Sequence, residues 1–313
     1  MDIPLELPLL FYADDSRIRV VTPSGLPLSL EAKSSFEDIF THYRKQVTAQ
    51  AKTKKRFLLA ERMPSLAEAR AALLASRGFE VPVFVCLAAD QPDADERFLP
   101  ALITLQAMGA KAVGLCGKPN ETMRNILREA LPHAAVPLVA VADAQPDESL
   151  GDYQTAVCSL LDAGVRIIGC GKGTTLQHMG VLRESIKKYG PPEISEEPDC
   201  CAAATEWETF FLGDNMEFSK MLRCSASLSD ELIDLDDEQV SAALVDVESV
   251  DDAVLLGQNS SMTKLPIAVH ADSSTVLEAA LRYFQGRLII DSDSLVEPEV
   301  LEPLAAKYGA ILY

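Results

Sequence analysis

Ala112-Val113-Gly114-Leu115-Cys116, then Glu121 to Leu131, then Leu138-Val139-Ala140-Val141-Ala142: the reading of this stretch decides the fold. Both five-residue runs are apolar throughout, which predicts strands buried on two faces with a helix between them. The pattern continues in both directions. Upstream stand Arg56-Phe57-Leu58-Leu59-Ala60-Glu61 and Val83-Phe84-Val85-Cys86-Leu87; downstream stands Arg166-Ile167-Ile168-Gly169-Cys170. Leu66 to Ala75 has helical spacing, with Ser65 as N-cap and Glu68 three residues on, and Phe98 to Met108 reads as a further helix. Strand and helix repeat at about 25 residues, which predicts an α/β fold of (β/α) TIM-barrel type, or a piece of one.

Gly190-Pro191-Pro192 and the acidic residues after it read as a break. Beyond it the candidate strands are Thr209–Gly213, Ala242–Val247, Leu265–His270, Arg287–Asp291 and Ala310–Leu312, with helices near Ser274–Phe284 and Glu297–Lys307. The expected organisation is a (β/α) half over 1–190, an acidic linker over 191–208 and a second (β/α) half over 209–313.

The 313 residues carry 28 Lys and Arg against 47 Asp and Glu, a net charge of −19. Between Glu193 and Asp252 stand 18 acidic residues against Lys220 and Arg223, so −16 of the total lies there. A field of this sign repels phosphate backbones and anionic lipid, which excludes nucleic acid and membrane as partners. Most of that acidity is expected to solvate a linker and helix faces, with a docking surface for a basic partner as the functional alternative. Met1-Asp2-Ile3-Pro4 lacks the basic start of a secretory signal. The seven cysteines, an odd number, read as reduced thiols, so a cytoplasmic protein is expected.

Ile167-Ile168-Gly169-Cys170-Gly171-Lys172-Gly173-Thr174-Thr175-Leu176-Gln177-His178-Met179 resembles the last strand and loop of the homocysteine S-methyltransferase barrel, IIGGCCGTTPEHI. Ala112-Val113-Gly114-Leu115-Cys116-Gly117 resembles that family's AVGxNC element. Leu59 to Ala69 resembles its LIETMxxLxEA strand and helix, and Thr22-Pro23-Ser24-Gly25 with the helix at Phe36 resembles what precedes it. The DGAMGT-like first strand is missing, so roughly two βα units are expected to be absent, and the remaining six strands cannot close an eight-stranded barrel.

The resemblance implies a zinc ion held by three thiolates, with the homocysteine thiolate in the open fourth position. Its three ligand positions fall on Gly117, Gly171 and Lys172, none a cysteine. The resemblance therefore implies lost zinc chemistry and a binding or regulatory role in methyl-transfer metabolism. The alternative is an active thiol methyltransferase with zinc relocated to Cys116, Cys170 and His178, and with Glu61 on the substrate side. Cysteine as a small buried hydrophobe and His178 as a helix-start cap are the plainer readings. Gly169 to Thr175 also has the glycines, lysine and hydroxyls of a phosphate loop, but Lys172 is followed by Gly173 rather than Ser or Thr.

The second half resembles the pterin-binding barrel of cobalamin-dependent methionine synthase, through Leu265–Ser273, Val276–Leu281, Gly286–Ser294 and Glu302–Ala310. Its pterin-contacting positions fall on Asp214, Glu248, Asp272 and Asp291: Glu248 and Asp291 stand where the family has asparagines, Asp214 where it has a glutamate, and Asp272 keeps its acid, and the two amide-to-carboxylate swaps disfavour an anionic folate tail. Folate or cobalamin enters only through this resemblance, as does a methyl-transfer or corrinoid protein as partner. A second copy of the chain, or strands of the two halves joined in one composite barrel, would shelter exposed edges. His270, beside Asp272, is a candidate titrating group, with a structural hydrogen bond as the plainer reading.

Overall fold

The structure, a computed structural model, describes residues 10–12, 18–26, 35–49, 57–79, 81–189, 194–235, 238–259 and 262–313. Met1–Pro4, Arg56 and the break at Gly190–Glu193 lie outside these. Two compact units divide the chain: the first holds 1–98 and 110–199, the second 99–109 and 200–313.

The first unit contains β1 (Leu10–Tyr12), β2 (Ile18–Val21), α1 (Phe36–Ala49), β3 (Phe57–Met63), α2 (Leu66–Ala75), β4 (Val83–Ala88), the start of α3 (Ala94–Ala107), β5 (Ala112–Gly117), α4 (Glu121–Ala130), β6 (Leu138–Ala142), α5 (Leu150–Asp162), β7 (Ile167–Cys170) and α6 (Leu176–Ile186). The seven strands form one parallel sheet in the order β1-β7-β6-β5-β4-β3-β2. This corrects the expected six: β1 pairs with β7, Leu10 opposite Ile168. Three residues are too few for a period-2 pattern to show.

The sheet is curled. A flat sheet of seven strands would put its edge strands about 29 Å apart. β1 and β2 occupy the two edges, yet Tyr12 and Ile18 are joined by a link that spans at most about 20 Å. The packing agrees. One face buries Ile18, Phe57, Leu59, Phe84, Cys86, Ala112, Cys116, Val139, Val141 and Ile167 against each other, all of them strand residues. Strand side chains can pack on their own sheet only if it bends round them. The other face buries Ile168 and Cys170 against Tyr153, Val157, Leu161 and Leu182 of the helices. The unit is a partial (β/α) barrel.

Local chemistry explains the helix starts. Ser65 accepts the Glu68 N–H, and Asn120 and Ser149 cap α4 and α5 in the same way.

The second unit holds β8 (Ala202–Ala204), β9 (Thr209–Phe211), β10 (Leu222–Arg223), α7 (Leu228–Asp234), β11 (Ala243–Asp246), α8 (Val250–Gln258), β12 (Ile267–His270), α9 (Ser274–Tyr283), β13 (Ile289–Ile290), α10 (Pro298–Tyr308) and β14 (Ile311–Leu312). β10 to β14 form a parallel five-stranded sheet in sequence order, and β8 and β9 an antiparallel pair. Two expectations change here. Thr209–Gly213 is not the first parallel strand; that place belongs to β10. Ala202–Ala204, inside the expected linker, is a buried strand.

Candidate functional site

The C-terminal ends of β3, β5, β6 and β7 meet around one ion pair. Ala60 stands opposite Val85 but Met63 opposite Leu87, so β3 has one residue more than β4 between those pairs. The extra residue makes a bulge at Glu61-Arg62, a device that re-aims side chains. Arg62 has φ +59°, the one non-glycine with positive φ among the described residues. That conformation costs about 1–2 kcal/mol and persists only where neighbours hold it.

Asp143, immediately after β6, is the neighbour. Arg62 Nη2 donates to Asp143 Oδ1 and Oδ2, each at 2.8 Å. Both side chains are only 13% exposed. Asp143 Oδ1 also accepts the Lys172 backbone N–H at 2.8 Å, and the Asp143 N–H donates to the Gly117 carbonyl at 2.9 Å. One residue thus ties the ends of four strands. Burial works against the Arg62 charge, but Asp143, with smaller help from Cys116 and Glu61, raises its pKa overall.

The three positions that the resemblance assigns to thiolates lie around this pair. Gly117 and Gly171 have no side chain to offer, and the Lys172 side chain is exposed. At Gly171 a Cβ would overlap Asp143 Oδ1 and stand 3.2 Å from the Ala142 carbonyl; at Gly117 it would stand 3.0 Å from Ala89 Cβ. The carboxylate fills the space that a cysteine side chain would need.

The relocated set is not brought together. Cys116 lies on the inner face of the curled sheet and Cys170 on the helix face. Burial pushes the Cys116 thiol well up, and Cys86 and Glu61 push the same way against Arg62. Burial raises the Cys170 thiol to about 11, although a Thr174 hydrogen bond pulls it down. A thiol held up in this way is a poor nucleophile. His178 Nδ1 accepts the Thr175 N–H at 3.1 Å, and its ring stands edge-on to Tyr153 with centroids 4.7 Å apart. It caps α6, as the plainer reading expects. Glu61 lies close enough to Arg62 and Cys116 to act on both electrostatically. Among the described residues no three His, Cys, Asp or Glu side chains are grouped to hold a metal ion. The residues present do not fit zinc.

Of the pterin-like positions, Asp272 and Asp291 meet on His270. Its Nδ1 lies 2.9 Å from Asp291 Oδ2 and its Nε2 3.3 Å from Asp272 Oδ1. Glu248 is exposed and donates its backbone N–H to Asp252 at 3.2 Å; Asp214 is exposed.

Sequence reasoning passed over Arg62 and Asp143. The available signal was position: each is a charge at the C-terminal end of a buried strand, where barrel sites lie.

A homocysteine S-methyltransferase family match covers residues 16–186, more than half of the chain. Among solved structures, the homocysteine methyltransferase MmuM from Escherichia coli is 19% identical over 54% of this chain and 62% of its own, with a TM-score of 0.45. The chain therefore spans less than two thirds of that protein. The carboxyl transferase domain of Rhizobium etli pyruvate carboxylase is 10% identical over 98% of this chain and 52% of its own, with a TM-score of 0.27. No curated protein matches. No helix among the described residues is long and apolar enough to cross a membrane.

Proposed function

Because the chain belongs to the homocysteine S-methyltransferase family, yet carries an ion pair where the resemblance calls for thiolates, we propose that it is a member without zinc–thiolate methyl transfer. Its role is that of a binding or regulatory protein of methyl-transfer metabolism. A methyl-transfer or corrinoid protein is the partner proposed, with self-association as the competing state.

One observation carries this reading: Asp143 bonds Arg62 and the Lys172 N–H from the space that a Gly171 side chain would occupy. The chemistry follows from it. A free thiol has a pKa near 8.5 and is mostly protonated at neutral pH. A thiol methyltransferase must stabilise its substrate's thiolate. Here the Arg62 guanidinium is already neutralised by Asp143, with Glu61 adding negative charge nearby. The carboxylates that replace amides at Glu248 and Asp291 likewise disfavour an anionic folate tail.

Elemental analysis of the purified protein tests the reading, together with methyl transfer to homocysteine from S-methylmethionine or a methylcorrinoid. We expect neither stoichiometric zinc nor turnover, with Cys116→Ser and Cys170→Ser unchanged in metal content. One zinc per chain, lost in either variant, would overturn the reading in favour of a relocated site.

A further inference from the structure

We propose that His270 is a proton-controlled tie that fastens the Asp291–Leu295 loop at the C-terminal mouth of the second sheet. Parallel register sets Arg223, Asp246 and His270 side by side at the ends of β10, β11 and β12. The pairs Val269–Ile290 and Ile290–Leu312 carry the same row on to Asp291 and Tyr313. Side chains in one register of a parallel sheet share a face.

Within this row both ring nitrogens of His270 meet carboxylates: buried Asp291 at 2.9 Å and Asp272, whose side chain is 62% exposed, at 3.3 Å. Backbone bonds from the Asp291 N–H to the Val269 carbonyl and from the Ser292 N–H to the Tyr313 carbonyl anchor the start of the loop that follows β13, and three side-chain contacts hold the rest. Asp291 bonds His270, Ser294 Oγ accepts the Ala271 N–H at 3.2 Å, and Asp272 Oδ1 accepts the Leu295 N–H at 3.4 Å. Asp272 is thus shared between the imidazole and the loop.

Only the imidazolium can donate to both carboxylates, because neutral imidazole carries one N–H. When the ring loses a proton, the shorter contact to buried Asp291 keeps the one that remains, on Nδ1. The Nε2 lone pair then faces the Asp272 carboxylate. Asp272 is repelled towards solvent and takes its hold on Leu295 with it. Leu295, itself 76% exposed, has little apolar burial to keep it in place.

The other groups around the ring set the sign. Asp246 faces it from β11, with Arg223 beyond Asp246 on β10 and Cys224 just after; Tyr313 stands past Asp291, Asp293 follows in the loop, and the segment before β10 carries Asp214 and Glu217. Burial disfavours the charged ring, but Asp291, Asp272 and Asp246 together outweigh it and raise the pKa of His270. A raised pKa means that the tie is present below the ordinary histidine value and is lost as pH rises through the folded one.

Nuclear magnetic resonance on the full chain tests this. The His270 ring is titrated from about pH 5 to 8, and Leu295 amide exchange is followed in parallel, corrected for its intrinsic pH dependence. His270 should titrate above the ordinary value of about 6.5. Leu295 protection should fall across that titration in wild type and stay flat in Asp272→Asn, whose His270 should bind its proton less tightly. His270→Gln should give a flat profile. Leu295 protection that is flat in wild type, or a step that survives in His270→Gln or in Asp272→Asn, would overturn the proposal. Should His270→Gln not fold, Asp272→Asn at its exposed position decides alone.

Discussion

Asp143→Ala is expected to cost about 3–5 kcal/mol of stability, the range for breaking a buried ion pair from one side. The variant leaves the Arg62 guanidinium 13% exposed without its counter-charge. Arg62 Nε is already buried without a hydrogen-bond partner, so the remaining guanidinium has little to fall back on. The Lys172 N–H also loses its acceptor, and the left-handed backbone at Arg62 loses what holds it. Urea denaturation of the single variants and of Arg62→Ala/Asp143→Ala gives the coupling. The double variant should recover most of the loss, because no buried charge is then left alone and only the orphaned Lys172 amide remains, at about 1–3 kcal/mol. A loss below about 0.5 kcal/mol in Asp143→Ala, the size of an exposed pair's contribution, would mean that the pair does not organise the mouth.

The same pair shows where sequence reasoning ends. The strands from Phe57 to Cys170 are legible because each is an apolar run bounded by a helix, and burial on two faces leaves no other pattern. Arg62 is not legible as a mouth residue. Its direction comes from a bulge, and a bulge is defined only by the register of β3 on β4, which no local pattern encodes. The absence of thiolates at Gly117, Gly171 and Lys172 was readable position by position. That a carboxylate from another strand fills the gap at Gly171 was not, because it joins residues far apart in sequence. Short elements escaped for a different reason. β10 has two residues and β1 three, and pairing with longer neighbours rather than composition makes them strands. Thr209–Phe211 was visible as a strand but not as the partner of Ala202–Ala204, since alanine carries little strand signal.

Glu68 carries the last of these lessons and the second large effect. Its spacing from Ser65 matches a capping box, and half of the motif forms: Ser65 Oγ accepts the Glu68 N–H at 3.3 Å. The side chain goes elsewhere. It accepts the Tyr43 hydroxyl from α1, the Ser24 hydroxyl at 2.5 Å and the Ser24 N–H at 3.2 Å. Glu68 is 3% exposed and Tyr43 fully buried, so the carboxylate pins the segment after β2 onto α1 and α2. Burial first, and the Glu68 carboxylate second, raise the Tyr43 hydroxyl far above its usual range, so it remains a donor at any working pH. Glu68→Ala removes the acceptor for three donors and leaves a void; about 3–4 kcal/mol should be lost, combining a stranded buried hydroxyl with a cavity. Glu68→Gln keeps the shape and one oxygen and should cost about 1–2 kcal/mol. Tyr43→Phe removes one donor and keeps the ring. If the carboxylate is the pin, Glu68→Ala and Tyr43→Phe should be markedly non-additive in urea denaturation, and limited proteolysis near Ser24 should speed up in Glu68→Ala while Tyr43→Phe stays close to wild type. Equal proteolysis in all three proteins would show that the segment after β2 is held by its own backbone and not by Glu68.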